Sequence, residues 1–418
     1  MSRAQEPWLE TDPRSLERAA DDWGHLVRRR PRGVVRPGSV PELVAAARRW
    51  SLVPRGNGHS LAGQAQTGGI VLDMGAFDSV EVGEGSVRAG GGARWSSVLR
   101  AALATGQTPP VLTDYLELTV GGTLAVGGIG GTTQHHGFQT DTAQELEVLT
   151  PDGEVRTCSR TCEPELFDRV RAGGGENGVV VRAVLRLVPA PARVRRYQAR
   201  YADLASFVAD QRRFVVQGRF DHLQGRVEPV DGGAEYVLDA AVFHDGEAGF
   251  HDGEVGFHDG EAGEAGPAGE NWDESWETEG WETEDGDYAE FLDEMALQEP
   301  FLRSAESGHA WYRPHPWLNL FLPAECVVDF VRGSSGELAR ELLGETGLVL
   351  LYPFPADAVS TPGIALPSAP VVFLLAVLRT ADVDAQISRM LAANRTLRER
   401  ADACGGRPYL GAVESTVD

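Results

Sequence analysis

Gly56-Asn57-Gly58-His59-Ser60 follows the apolar stretch Leu52-Val53-Pro54 and leads into Leu61-Ala62-Gly63-Gln64-Ala65. Glycines let a backbone take positive φ and turn several N–H groups toward one anion, so such a loop can cradle a diphosphate. A histidine inside it adds an imidazole nitrogen that is nucleophilic when neutral. The same glycines also make plain tight turns, and the loop by itself does not separate the two. Asp114, in Thr113-Asp114-Tyr115-Leu116, is the second chemical candidate: a carboxylate there could accept a proton, or could equally cap a helix or a turn. Trp317 and Asn319, in His315-Pro316-Trp317-Leu318-Asn319, offer a flat apolar wall and an amide, although a tryptophan is also ordinary core.

The elements needed to position these residues are legible around them. Val34-Val35 reads as a strand, and Ser39 as the cap of a helix carrying Pro41 in its first turn and running to Trp50. Leu52 to Pro54 and Ile70 to Met74 read as strands, and Val87 to Ala93 as a strand ending in glycines. Trp95 to Leu103 has helical spacing, with Trp95, Val98, Leu99 and Ala102 on one side. The run Thr119 to Gly131, rich in glycine, predicts a backbone pressed against a flat or bulky partner. Glu145 to Val155 is a hairpin signal with an Asp-Gly turn, Glu165 opens a short helix, and Val179 to Val188 is a strongly apolar strand. Pro189-Ala190-Pro191 marks a boundary. Beyond it a helix is expected to begin at Tyr201, strands at His222 to Val227, Tyr236 to Phe243 and Val371 to Leu378, and a helix at Val383 to Arg400. Few of these strands are spaced for crossovers, which predicts an antiparallel sheet with helices on one side.

At 418 residues the protein is long enough for two domains. Its net charge of −24 is concentrated: no Lys or Arg occurs between Arg226 and Arg303, while residues 245–294 hold nineteen acidic groups, leaving about −5 elsewhere. No clustered positive charge suits a nucleic acid. No apolar stretch is long enough to span a bilayer, the first residues read as no secretory signal, and four cysteines fit a reducing cytoplasm. Cys158 and Cys162 are spaced like metal ligands but lack a second pair, so buried thiols are expected. The heptapeptide Phe243-His244-Asp245-Gly246-Glu247-Ala248-Gly249 recurs with variation to Gly263, and residues 243–287 are expected to be a disordered acidic insert.

Taken together, these words resemble a family: the flavin-linked oxidoreductases of the vanillyl-alcohol-oxidase and p-cresol-methylhydroxylase superfamily, and within it the cytokinin dehydrogenases. The matching residues are Arg55 to Ala65, Thr113 to Leu124, Glu145-Leu146 with Thr157-Cys158-Ser159 and Pro164 to Phe167, and His315 to Asn319. The resemblance implies an α+β, two-domain FAD-binding fold, with residues 1–193 binding FAD, a substrate domain at 194–407 built on an antiparallel sheet covered by helices, and 408–418 a shortened return to the first domain. It implies FAD joined covalently to His59, with Gly56, Asn57, Gly58 and Ser60 at the diphosphate and Gln64, Thr119, Ala125, Ile129, Val180 and Tyr409 around the rest. Asp114 then carries acid/base work, and Gln224, Trp317, Asn319 and Leu410 meet the substrate. The implied reaction takes an N6-substituted adenine to adenine and an aldehyde, with a quinone-like acceptor or oxygen as the partner, in a cytoplasmic monomer. The alternatives are a related oxidase acting on an alcohol or a secondary metabolite, and a decayed flavoprotein without turnover.

Four departures qualify the resemblance. Gln224 stands where the family commonly has a glutamate, Asn57 replaces the more usual arginine, Gly174-Gly175-Glu176-Asn177-Gly178 differs from the family's motif beside the flavin, and the tail after Tyr409 is short. An amide at 224 can hydrogen-bond a purine edge but cannot exchange a proton as a carboxyl does. The short tail is expected either to leave part of the flavin core exposed or to leave the active site incomplete.

Overall fold

A computed structural model describes residues 8–230, 233–246, 280–295, 302–304 and 308–409. Its first half layers two sheets. In one, the strands Gly33–Val35, Ile70–Asp73 and Leu52–Arg55 run parallel, with Leu9–Glu10 antiparallel at the edge. Helix Val40–Arg49 connects two of them and is capped as expected by Ser39, whose hydroxyl accepts the Glu42 N–H. The second sheet is antiparallel, ordered Val80–Gly83, Ser86–Gly90, Val179–Arg186, Ala143–Leu149 and Val155–Ser159. Helix Trp95–Leu103 covers it, burying Trp95, Val98, Leu99 and Ala102.

The second glycine-rich run presses first on the protein's own main chain. A β-carbon on Gly121 would lie 2.8 Å from the Gly91 carbonyl oxygen, and one on Gly130 1.9 Å from that of Leu112. These glycines let helix Val120–Val126 and the loop after it nest against neighbouring backbone.

The second half is an eight-stranded antiparallel sheet, in the order Glu282–Asp287, Arg193–Tyr201, Gly233–His244, His222–Val230, Leu348–Pro355, Val371–Leu378, Leu318–Pro323 and Arg407–Pro408. Strand alternation divides its two faces. Leu223, Leu318, Leu320, Leu351, Phe373 and Leu375 pack under helices Leu204–Gln217, Val327–Gly333 and Asp384–Ala403. The intervening residues Phe321, Tyr352, Phe354 and Leu374 face the other way and form a core with Ile129 and Phe138 of the first half. That second face carries the sheet's share of the site.

Two sequence expectations are corrected here. Strand Arg193–Tyr201 runs through Tyr201, and the helix begins only at Leu204, where the Asp203 carboxylate accepts the Ser206 N–H at 2.8 Å. The acidic insert is narrower than residues 243–287, because Gly233–His244 and Glu282–Asp287 are both strands flanking Arg193–Tyr201. Across the second pair acids meet arginines, Asp285 with Arg195 and Asp287 with Arg193. Helix Tyr288–Met295 follows and buries Tyr288, Phe291 and Leu292. The body of the repeat, 247–279, lies outside the described residues. Cys158 is buried, whereas Cys162 is exposed, and no group of three metal-ligating side chains occurs among the described residues. No described helix is long and apolar enough to cross a membrane.

Candidate active site

The loop that carries His59 leaves the carboxyl end of the parallel strand Leu52–Arg55, where open sheets of this kind place ligands. Its shape depends on close approach. Gly58 has φ +77°, and a β-carbon on it would sit 2.2 Å from the Arg55 guanidinium. A β-carbon on Gly56 would sit 2.2 Å from the Thr119 hydroxyl, and the Asn57 amide donates to the Glu117 carbonyl at 3.0 Å. Asn57, Gly58 and His59 open onto a cleft of about 990 Å³ whose other walls include Trp23, Tyr115 and Trp311. The His59 ring lies 4.5 Å from the Tyr115 ring, 5.5 Å from Trp311 and 5.8 Å from Trp23.

Tyr115 is the residue next to Asp114, although Asp114 itself is not among the residues that line this cleft. Asp114 is gripped from the large sheet: Gln224 Nε2 donates to Oδ1 at 2.7 Å, and the Tyr352 hydroxyl donates to Oδ2 at 3.2 Å. Burial pushes the Asp114 carboxyl above the usual carboxylate range, against the opposing pull of those two hydrogen bonds. The Tyr352 hydroxyl is pushed well above the usual phenol range by burial and by the neighbouring carboxylate. The result is a carboxylate of raised basicity held in a fixed orientation.

The His315 to Asn319 motif forms the adjoining wall. The Trp317 ring meets Trp23 edge-on at 4.5 Å, and Trp23 stacks on His315 at 3.9 Å. Burial lowers the His315 pKa to about 4, which keeps that ring neutral. Trp317 Nε1 and Asn319 Oδ1 are buried and find no partner among the described residues. Such groups are costly unless something satisfies them, which leaves one donor and one acceptor here with unused hydrogen-bonding capacity.

The other residues named from the sequence take several positions. Thr119 caps helix Val120–Val126 and packs on Gly56, while Ala125 lies within that helix and its carbonyl accepts the Gly174 N–H. Ile129 is buried with Tyr352 and Phe321, and Val180 is buried beneath Gly91. The Tyr409 hydroxyl accepts the Gly128 N–H at 3.0 Å, and its own N–H donates to the Asn319 carbonyl, which ties this last described residue to both halves. Ser60 donates to the Asp22 carboxylate at 2.8 Å. Gln64 is exposed, and its oxygen accepts the Ala62 N–H within its own loop. Leu410 lies outside the described residues.

Sequence reasoning missed Tyr352, Trp23, Trp311 and Asp22. A lone tyrosine in the apolar run Leu348 to Pro355 was a usable signal, because a buried hydroxyl needs a partner. Gln224 was assigned to substrate alone, but its amide is committed to Asp114.

The arrangement fits FAD. The glycine loop opens onto a cleft of cofactor size, and the buried Arg55 behind it has an Nη1 without a partner among the described residues, a positive charge suited to a diphosphate. Residues 31–159 match the family described as FAD binding domain, and residues 276–416 match cytokinin dehydrogenase 1, FAD and cytokinin binding. The sequence is 40% identical over 406 residues to an uncharacterized oxidoreductase, ORF5 in the fasciation locus of Rhodococcoides fascians, covering 96% of this protein and 88% of that one. It is 33% identical to cytokinin dehydrogenase 10 of Oryza sativa subsp. japonica, over 96% of this protein and 81% of the relative. Cytokinin dehydrogenase 7 of the same organism is also 33% identical, over 91% and 79%.

Proposed function

The protein belongs to the cytokinin dehydrogenase family of FAD-linked oxidoreductases, and from that premise we propose that it oxidises the bond between the exocyclic nitrogen of an N6-substituted adenine and the first carbon of its substituent. Bound FAD supplies the acceptor for the hydride that leaves the carbon next to nitrogen. Asp114 accepts the N–H proton as the C=N bond forms, and its raised basicity suits that task. Water then adds across the C=N bond, and the C–N bond breaks to give adenine and an aldehyde. Gln224 and Tyr352 keep the carboxylate aimed at the substrate nitrogen. Trp317 Nε1 and Asn319 Oδ1 match the alternating acceptors and donors of a purine edge. His59 tethers the flavin covalently, and a quinone-like molecule or oxygen takes the electrons onward.

The observation that carries this reading is the Asp114 carboxylate, held by two donors from the sheet and next in sequence to the ring that packs on His59. Purified protein given isopentenyladenine and a dye acceptor should release adenine and bleach the dye. No adenine release, with the flavin reduced instead by an alcohol, would favour the second reading, an oxidase of other substrates. That reading draws on Gln224, which leaves one carboxylate where the family commonly has two.

A further inference from the structure

Asp22-Trp23-Gly24 lies before residue 31, outside both family matches, yet it grips both neighbours of His59. The Trp23 N–H donates to the Gly58 carbonyl at 2.9 Å, and the Gly24 N–H donates to the Ser60 carbonyl at 3.1 Å. Contact is tight enough that a β-carbon on Gly24 would lie 1.9 Å from the Leu61 carbonyl oxygen. Asp22, 3% exposed, closes the grip: its Oδ2 accepts the Ser60 hydroxyl at 2.8 Å and the Gly63 N–H at 2.7 Å. Burial pushes the Asp22 carboxyl above the usual carboxylate range, against the opposing pull of the hydrogen bonds from Ser60 and Gly63, so a group that is costly to bury is spent on holding this loop.

We propose that Asp22 is a positioning residue for the cofactor loop, fixing the turn from Gly58 to Gly63 so that the His59 imidazole is presented to FAD. The inference rests on the reading of this loop as the flavin-binding element. Two hydrogen bonds on one oxygen tie Ser60 to Gly63, so their loss lets the turn open while the sheets behind it stay packed. Asparagine retains a carbonyl oxygen in the same place and can accept from the same two donors.

The test compares full-length wild type, Asp22→Ala and Asp22→Asn for acid-stable flavin per protein, with apo-protein melting temperature and near-UV circular dichroism alongside. The expected result is roughly a tenfold fall in acid-stable flavin for Asp22→Ala, recovery to at least half of wild type in Asp22→Asn, and unchanged apo-protein melting in both. Full loading of Asp22→Ala overturns the proposal. So does an equal loss in both variants with lowered melting, which makes Asp22 part of the fold's support. If Asp22→Ala does not fold, Asp22→Asn and Asp22→Glu decide: loading of the first but not of the longer second supports the proposal, and equal loading overturns it. If acid releases the wild-type flavin, the histidyl link is wrong, and the same comparison read as an FAD dissociation constant still decides the role of Asp22.

Discussion

The two sides of the site are built by opposite means. The His59 side is made largely of backbone: Gly56 and Gly58 admit Thr119 and Arg55 where no β-carbon fits, and main-chain bonds from Trp23 and Gly24 join the Asp22 carboxylate in holding the turn. The Asp114 side is made of side chains, with Gln224 and Tyr352 brought from two strands of one sheet face onto a single carboxylate. A backbone-built wall is read by almost any substitution that adds bulk. A side-chain wall is read by changes of a single polar atom. The first should therefore govern retention of the cofactor and the second the proton chemistry.

The sharpest way to break that division is Asp114→Asn. It should lower kcat by about 10²–10⁴-fold with flavin content unchanged, because an amide cannot accept the proton; single-turnover reduction read in the visible spectrum checks it. Loss of flavin in this variant would merge the two sides. On the other wall, Gly58→Ala places a methyl group at φ +77° against Arg55 and should cost roughly 1–3 kcal/mol together with most of the bound flavin. His59→Ala should release flavin into the supernatant after acid precipitation.

The pH dependence sharpens the side-chain half. Because burial holds the folded Asp114 pKa above its ordinary value, kcat/KM should fall as the pH drops through that raised value, since the protonated carboxyl has no capacity to take the N–H proton. Gln224→Glu sets a second acid against Asp114 and should move this acid limb upward by about one unit or more. Tyr352→Phe removes a hydrogen bond that opposes the shift, so the limb should also move upward, by less, with roughly a tenfold loss or smaller in kcat/KM. A downward move in either variant would show that Asp114 is not the titrating base. The smallest effect belongs to the far edge of the sheet, where Arg195→Ala should change stability by less than about 1 kcal/mol, since its ion pair with Asp285 is solvent-exposed.

Much of the site was legible because it is local. The glycine-histidine loop, the Thr-Asp-Tyr-Leu segment and the His-Pro-Trp-Leu-Asn segment are short words whose residue types carry their own chemistry. The antiparallel second half was equally legible from the spacing of its apolar runs, and strand Val371–Leu378 matches its expected bounds. The acidic insert misled at its C-terminal end because glycine and acid suppress the strand signal, while Glu282–Asp287 pairs with a strand some ninety residues earlier. The glycine run to Gly131 predicts a backbone pressed against a flat or bulky partner, and at Gly121 and Gly130 that partner is the protein's own main chain.

Sequence alone determined which groups are present: a glycine loop bearing an imidazole, one candidate base, and an indole with an amide at fixed spacing. Their chemistry follows from residue type and from neighbours within a few positions, so it needs no fold to be read. Only the tertiary structure decided that Gln224 and Tyr352 hold Asp114, across 110 and 238 residues of sequence, and that Asp22 holds the His59 turn from 38 residues away. Hydrogen bonds of a few ångströms between distant segments are set by strand register and sheet packing, and no local pattern encodes them.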